Sequence, residues 1–262
     1  FGAGAAVPDP GDFVWRAAGL LEAEPGLCDH LAGLLASGEI GGEGVSLAVD
    51  LLARAGTPAA MAAMRRALAS TRLGGRDDYA LLLQRMSLLD DPDEATVTLA
   101  ATIRGAHGSA SLVGGAAAYS IGAMAGKLAA AGHLGDAARW VAPLVTELAT
   151  AQDTQAQAHL VGALGNAGLP EHPAAIAGFA ASGDEAVRAA VASALQHGEG
   201  EPRARSALVL LSADPDAHVQ AMALASLRDY QLGDDDARAL VGSLAAGVPP
   251  TAAGDAVAVL AA

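Results

Sequence analysis

DEAVRAAVASAL, from Asp184 to Leu195, and DAHVQAMALASL, from Asp216 to Leu227, are one pattern written twice. The second copy starts 32 residues after the first, and Asp, Val, Ala and Leu return in register. A weaker version, AQAHLVGALGNAG, occupies Ala156 to Gly168. A repeat of this length holds one hairpin of two helices, which cannot bury its apolar side alone and gains a core only by stacking on its neighbours. Within the copies the apolar residues fall at helical spacing: Val187, Ala190, Val191, Ala194 and Leu195, then Val219, Met222, Ala223 and Leu227, with Ser226 the odd polar member.

Outward from the repeats, turn and cap signals divide the whole chain. In Gly56-Thr57-Pro58, glycine can end one helix in the left-handed region, threonine can cap the next, and proline fits its first turn. Asp91-Pro92-Asp93-Glu94 reads the same way, with Asp91 as cap, and Asp214-Pro215-Asp216 is a third instance. Helices are expected to start near Asp12, Gly26, Glu43, Thr57, Asp77, Asp91, Ser109, Gly135, Asp153, Glu171, Asp184, Glu201, Asp214, Asp234 and Pro250. Ser109 to Ala131 reads as a long helix of small residues, with Gly135 to Thr150 as its antiparallel partner. No alternating run bounded by hairpin turns suggests strands. The expected fold is all-α: a solenoid of about fifteen stacked helices. Residues 1–11 form a loose lead-in, and 12–262 form a single helical-repeat solenoid, expected to be part of a longer chain because the last residues stop in mid-pattern.

Composition narrows the partners. Hydrophobic residues make up 52% of the 262 but aromatics only 3%, so Ala and Gly carry much of the apolar fraction and helices can approach closely. The formal net charge of −14 repels phosphate backbones and anionic membranes, which argues against nucleic acid and favours a basic protein partner. Gly105 to Gly126 carries no charge and is long enough to cross a bilayer. Its Gly, Ala and Ser content, with His107 and Tyr119 inside it, makes a buried helix the better reading, and no membrane span is expected.

The sequence holds little that suggests catalysis or a cofactor. Cys28, the sole cysteine, can form neither an internal disulfide nor a thiolate metal site. Its neighbours Asp29 and His30 point elsewhere on a helix, which weakens a nucleophile reading. No two of His30, His107, His133, His159, His172, His197 and His218 stand three or four apart, so no helix offers a metal an adjacent pair. The acidic groups Asp77-Asp78, Asp90-Asp91 and Asp234-Asp235-Asp236 lack a calcium-loop pattern and sit where helices should begin. Gly2 and Gly4 follow no strand, Gly41-Gly42 and Gly114-Gly115 are not phosphate loops, and no nucleophile elbow is present. No catalytic residue, cofactor or metal is expected, nor enzymatic activity. The scarce large side chains Trp15, Trp140, Tyr79, Tyr119, Phe13 and Phe179 are expected to fill core gaps. Phe13 and Trp15, near the N-terminal end, are the candidates for partner contact, since aromatics dominate binding hot spots.

Leu164-Gly165-Asn166-Ala167-Gly168, His172, then Val187-Arg188-Ala189-Ala190 and Ala194-Leu195, together with the junction Leu51 to Ala60, resemble the helical domain of the large lipid transfer proteins, the family of vitellogenin, apolipoprotein B and the microsomal triglyceride transfer protein. The resemblance covers roughly Glu43 to Tyr230. It implies a right-handed α-α superhelix, a HEAT-like solenoid, that supports lipid-bearing β-sheets, and a secreted or periplasmic setting. Neither the β-barrel nor the sheets are in this chain, so lipid would be held only by a longer chain. HEAT-type repeats, which also begin helices with D-x-x-V-R-x-A-A, are a plainer parallel. Three functions follow: an interaction scaffold whose partner is another protein or the remainder of its own chain; the helical part of a lipid carrier; and an enzyme with a site built across repeats.

Overall fold

The structure, a computed structural model, describes residues 10–198, 200–245 and 253–261. Among them there are sixteen α-helices and two 3₁₀ turns, and no strand. Contacts divide the chain into two compact units, Phe1–Thr102 and Ile103–Ala262, each described here by itself.

The N-terminal unit holds α1 (Pro10–Ala23), α2 (Pro25–Ser37), α3 (Glu43–Ala55), α4 (Pro58–Leu68), α5 (Thr71–Gly74), α6 (Tyr79–Gln84) with a 3₁₀ turn (Arg85–Leu88), and the start of α7 (Glu94–His107). Helix α1 packs on α3 and α3 on the 3₁₀ turn, while α2 packs on α4. Long side chains fill the space between: Leu35, Leu52, Met64, Leu68, Leu82, Leu83, Met86 and Leu89 are fully buried. The Gly56-Thr57-Pro58 junction behaves as its chemistry requires. Gly56 closes α3 at φ 60°, and the Thr57 hydroxyl accepts the Ala60 N–H at 3.2 Å.

The C-terminal unit holds α8 (Leu112–Ala130), α9 (Leu134–Leu148), α10 (Thr154–Ala167), α11 (Pro173–Ala177), α12 (Glu185–Ala194) with a 3₁₀ turn (Leu195–His197), α13 (Pro202–Leu211), α14 (Ala217–Leu227), α15 (Asp234–Ala245) and α16 (Ala253–Ala261). One layer runs α8, α10, α12, α14, α16, each helix packed on the next. The other contains α11, α13 and α15 in the same succession, and α9 lies against α8 and α10. The repeat seen in the sequence is thus the step from α12 to α14. The same step separates α10 from α12, and the N-cap aspartates Asp153, Asp184 and Asp216 mark it. Each accepts a backbone N–H of its helix's first turn: Ala156 at 2.9 Å, Ala186 at 2.9 Å and His218 at 2.9 Å. Such a cap contributes about 1 kcal/mol.

Each expected helix start finds a helix within three residues, and α5, a single turn, is the sixteenth. Two caps fall elsewhere than expected. In both Asp-Pro-Asp stretches the second aspartate caps the helix: Asp93 accepts the Thr96 N–H at 2.8 Å, and Asp216 caps α14. The first turn therefore starts after the second aspartate, and proline precedes the cap instead of following it. Most of the expected 1–11 lead-in lies outside the described residues, and α1 begins at Pro10.

Candidate interaction surfaces

Side chains that carry no part of a core or a cap are the material for a binding site, and the polar ones inside the C-terminal unit are largely committed to structure. The residue four past each repeat's cap reaches back to a carbonyl ahead of its own helix. Gln157 donates to the Ala151 carbonyl at 2.8 Å, Arg188 to Ser182 at 2.9 Å, and Gln220 to Ser212 at 2.9 Å. Arg188 also grips the next repeat, its Nε and Nη2 donating to the two Asp214 carboxylate oxygens at 2.7 and 3.0 Å. Burial works to raise the Asp214 carboxyl, but Arg188 and the Asp216 N–H outweigh it, so its pKa lies below the usual range. Ser226, the odd polar member of its helix, donates to the Ala192 carbonyl at 2.8 Å, and the Tyr230 hydroxyl donates to the Leu195 carbonyl. These ties were not anticipated from the sequence, although a polar residue at the fourth position past each capping aspartate was there to be seen.

The layer of α11, α13 and α15 is different. Ala174, Ala177, Gly178 and Ala181 on one side and Pro202, Ser206 and Leu210 on the other leave an open groove of about 450 Å³ between α11 and α13. Small side chains create it, since most of its lining residues are Ala, Gly, Pro and Ser. Leu210 lies on its edge, 59% exposed, and Arg203 is the charged residue in its wall. A second, smaller pocket of about 260 Å³ opens between α12 and α14.

Of the two aromatic residues singled out for contact, Trp15 is 63% exposed on α1. The Arg54 guanidinium lies over its ring, 5.2 Å from the centroid, in cation–π geometry. Leu47, Leu51 and Arg54 follow one another at i, i+4 and i+7 along α3, so the ring stands beside a partly apolar helix side. Phe13 lies on the same helix, and its side chain is outside what the structure describes. The other aromatics serve the interior or its margin. Tyr79, for example, is buried and donates to the Leu68 carbonyl at 2.7 Å, while Trp140 and Phe179 are half-buried.

The remaining candidates resolve into structural roles. Cys28 is fully buried, its thiol donating to the Leu21 carbonyl at 3.6 Å, and burial pushes its pKa up, which disfavours a nucleophilic thiolate. Asp29 pairs with Arg66 instead of Cys28, and His30 is exposed. His159 contacts the Ser109 carbonyl at 2.7 Å and meets the Tyr119 ring edge-on. His172 is buried, and desolvation holds its pKa below the ordinary imidazole value. No group of His, Cys, Asp and Glu suited to a metal ion occurs among the described residues. Asp78 is held by Arg76 at 2.7 Å, and Asp234, Asp235 and Asp236 form the first turn of α15. The uncharged stretch 105–126 contributes to α7 and α8, and no described helix is long and apolar enough to cross a membrane.

Residues 141–228 match the family of HEAT repeats, a segment that takes in α10 to α14. No curated protein matches the chain. Among solved structures, human deoxyhypusine hydroxylase in complex with glycerol is similar over 94% of this chain and 98% of that one, at 17% identity and a TM-score of 0.34. The chain is thus a helical-repeat protein with HEAT repeats in its C-terminal unit. The resemblance to the large lipid transfer proteins is not supported. The residues that carried it, Leu164 to Gly168 and Val187 to Leu195, lie inside the HEAT segment, and Thr57, Gly168 and Asp184 are helix caps that any stacked hairpin needs. The expectation that the chain is no enzyme is also corrected: the similar solved structure is named as an enzyme. At that degree of likeness it assigns no activity to this chain.

Proposed function

We propose that this chain is a protein-interaction module of the HEAT-repeat kind, holding a partner on its exposed helix surfaces. The groove between α11 and α13 carries the reading. It is open, about 450 Å³ in volume, and walled by Ala, Gly and Pro, with an exposed leucine at its edge. An apolar recess of this sort on a repeat stack suits a projecting side chain or helix ridge of a partner. Arg188 supports it as well, since it ties the chain after α11, at the Ser182 carbonyl, to the chain after α13, at the Asp214 carboxylate. A negative net charge of 14 favours a partner that is basic overall. In the N-terminal unit, Trp15 is proposed as a contact residue, with Phe13 beside it in sequence.

The test is crosslinked affinity capture from the native source with wild type and Ser206→Trp. Ser206 is exposed, so the larger ring fills the groove without entering the core. A partner held by the wild type and reduced at least tenfold by the variant supports the reading. Recovery of the same proteins in the same amounts by both overturns it.

A further inference from the structure

The inference concerns the second pocket, where the two copies of the repeat meet at their C-terminal ends. Ser193, Gln196 and His197 come from α12 and its 3₁₀ turn, and Met222, Ser226 and Asp229 from α14 and the residues after it. The register explains why a recess opens at this step and not at the one before. Gly165, twelve residues past Asp153, lies so close to Ala194 that an added Cβ would stand 2.5 Å from the Ala194 Cα. Helices α10 and α12 are therefore shut against each other. One repeat on, the equivalent pair is Gln196 and Ser226, and these longer residues leave a gap of about 260 Å³ between α12 and α14. The Ser226 bond to the Ala192 carbonyl and the Tyr230 bond to the Leu195 carbonyl pin the walls from behind.

Asp229 is the one carboxylate that lines this gap, with the His197 imidazole as the other ionisable group of its wall. Asp229 is exposed and makes no hydrogen bond or ion pair among the described residues. Its neighbour Arg228 reaches away to Asp255 at 3.5 Å, and no arginine or lysine lines the pocket. Both α12 and α14 run toward the pocket with their C-terminal ends, which carry the negative pole of the helix dipole. An acidic side chain would be repelled there, and a neutral one would leave Asp229 without a counter-charge. A guanidinium would pair with the carboxylate while its flat face rests on the Met222 thioether.

We infer that the pocket between the C-terminal ends of α12 and α14 is a seat for an arginine side chain of a basic partner, with Asp229 as its counter-charge. This rests on the interaction reading and adds to it the chemistry of the partner.

The probe is an acetylated, amidated Gly-Arg-Gly peptide, titrated at pH 8 into the full chain carrying ¹³C-labelled methionine methyls and ¹⁵N-labelled amides. Its citrulline counterpart has the same shape without the charge. A saturable shift of the Met222 methyl and of the amides from Ser193 to His197 with the arginine peptide, absent with citrulline and weakened at least fivefold by Asp229→Asn, is the expected result. The control Asp235→Asn, at an exposed acid in the first turn of α15, should leave the titration unchanged. Equal shifts with citrulline, no saturable shift at Met222, or unchanged binding by Asp229→Asn would overturn the inference. Because no partner is needed, this experiment fails or succeeds independently of the Ser206→Trp capture, which tests the groove.

Discussion

Both units bury leucine and methionine side chains, but they differ in how closely particular helix backbones approach. The N-terminal unit spaces its helices with Leu and Met side chains: Leu35, Leu52, Met64, Leu68, Leu82, Leu83 and Met86 are fully buried, and Gly19, Gly26 and Gly33 would each accept a methyl group without contact. The C-terminal unit brings backbones together. A Cβ added at Gly122 would overlap the Ala163 carbonyl, and one at Gly126 would lie 2.6 Å from the Asn166 oxygen. The first kind of core is governed by volume and can repack. At Gly122 and Gly126 the second offers only backbone to move, and it adds buried polar ties to fix register.

The ion pairs give the sharpest way to break this comparison. Arg188 and Asp214 keep 14% and 4% of their side-chain surface, whereas Arg65 and Asp93 in the N-terminal unit keep 22% and 38%. Arg188→Met leaves a buried carboxylate without its partner and should cost about 3–5 kcal/mol. Hydrogen exchange should show the protection of α12 and α14 falling together. Arg65→Met leaves Asp93 partly in water and still held by Thr96, so it should cost about 1 kcal/mol. Similar losses for the two substitutions in urea unfolding would mean that the C-terminal ties carry no special weight.

The same substitution placed in each unit should change stability in opposite directions. Gly122→Ala forces α8 away from α10 and should destabilise by about 1–3 kcal/mol. Gly33→Ala, on the exposed side of α2, only removes backbone freedom from the unfolded chain and should stabilise by about 0.5–1 kcal/mol. Thermal unfolding midpoints of the two variants decide it. A loss in both would show that the N-terminal unit is as tightly closed as the C-terminal one.

What the sequence made legible follows the range of each interaction. Helix positions rest on local rules, and each expected start lies within three residues of a helix. The Asp-Pro-Asp caps were misplaced because both aspartates satisfy the local rule. The choice is made by distant residues, Arg65 fixing Asp93 in its place, and Arg188 taking Asp214 out of the capping role. Trp15 stood out by scarcity, and the structure leaves it exposed, but its companion Arg54 lies thirty-nine residues away and gave no local signal. The groove and the pocket depend on how far apart two helices stand. The pocket becomes visible only when Gly165 and Ala194 are set in register with Gln196 and Ser226.

The smallest expected effect concerns acid. His172, between α10 and α11, is buried with its Nδ1 unpartnered, and desolvation lowers its pKa from the ordinary imidazole value. In the unfolded chain the ring regains a pKa of about 6.5. Below that pH the unfolded state binds the proton more readily than the folded state, so stability is full above it and falls as pH drops toward the folded pKa. His172 lies in the C-terminal unit, so the penalty is expected there. Hydrogen exchange followed from pH 7.5 to pH 5 should show α10 and α11 losing protection while α2 to α4 keep theirs. His172→Gln should remove the difference. If the two units weaken in parallel, or if the variant keeps the wild-type slope, His172 is not its source, and the difference between the units then lies in packing alone.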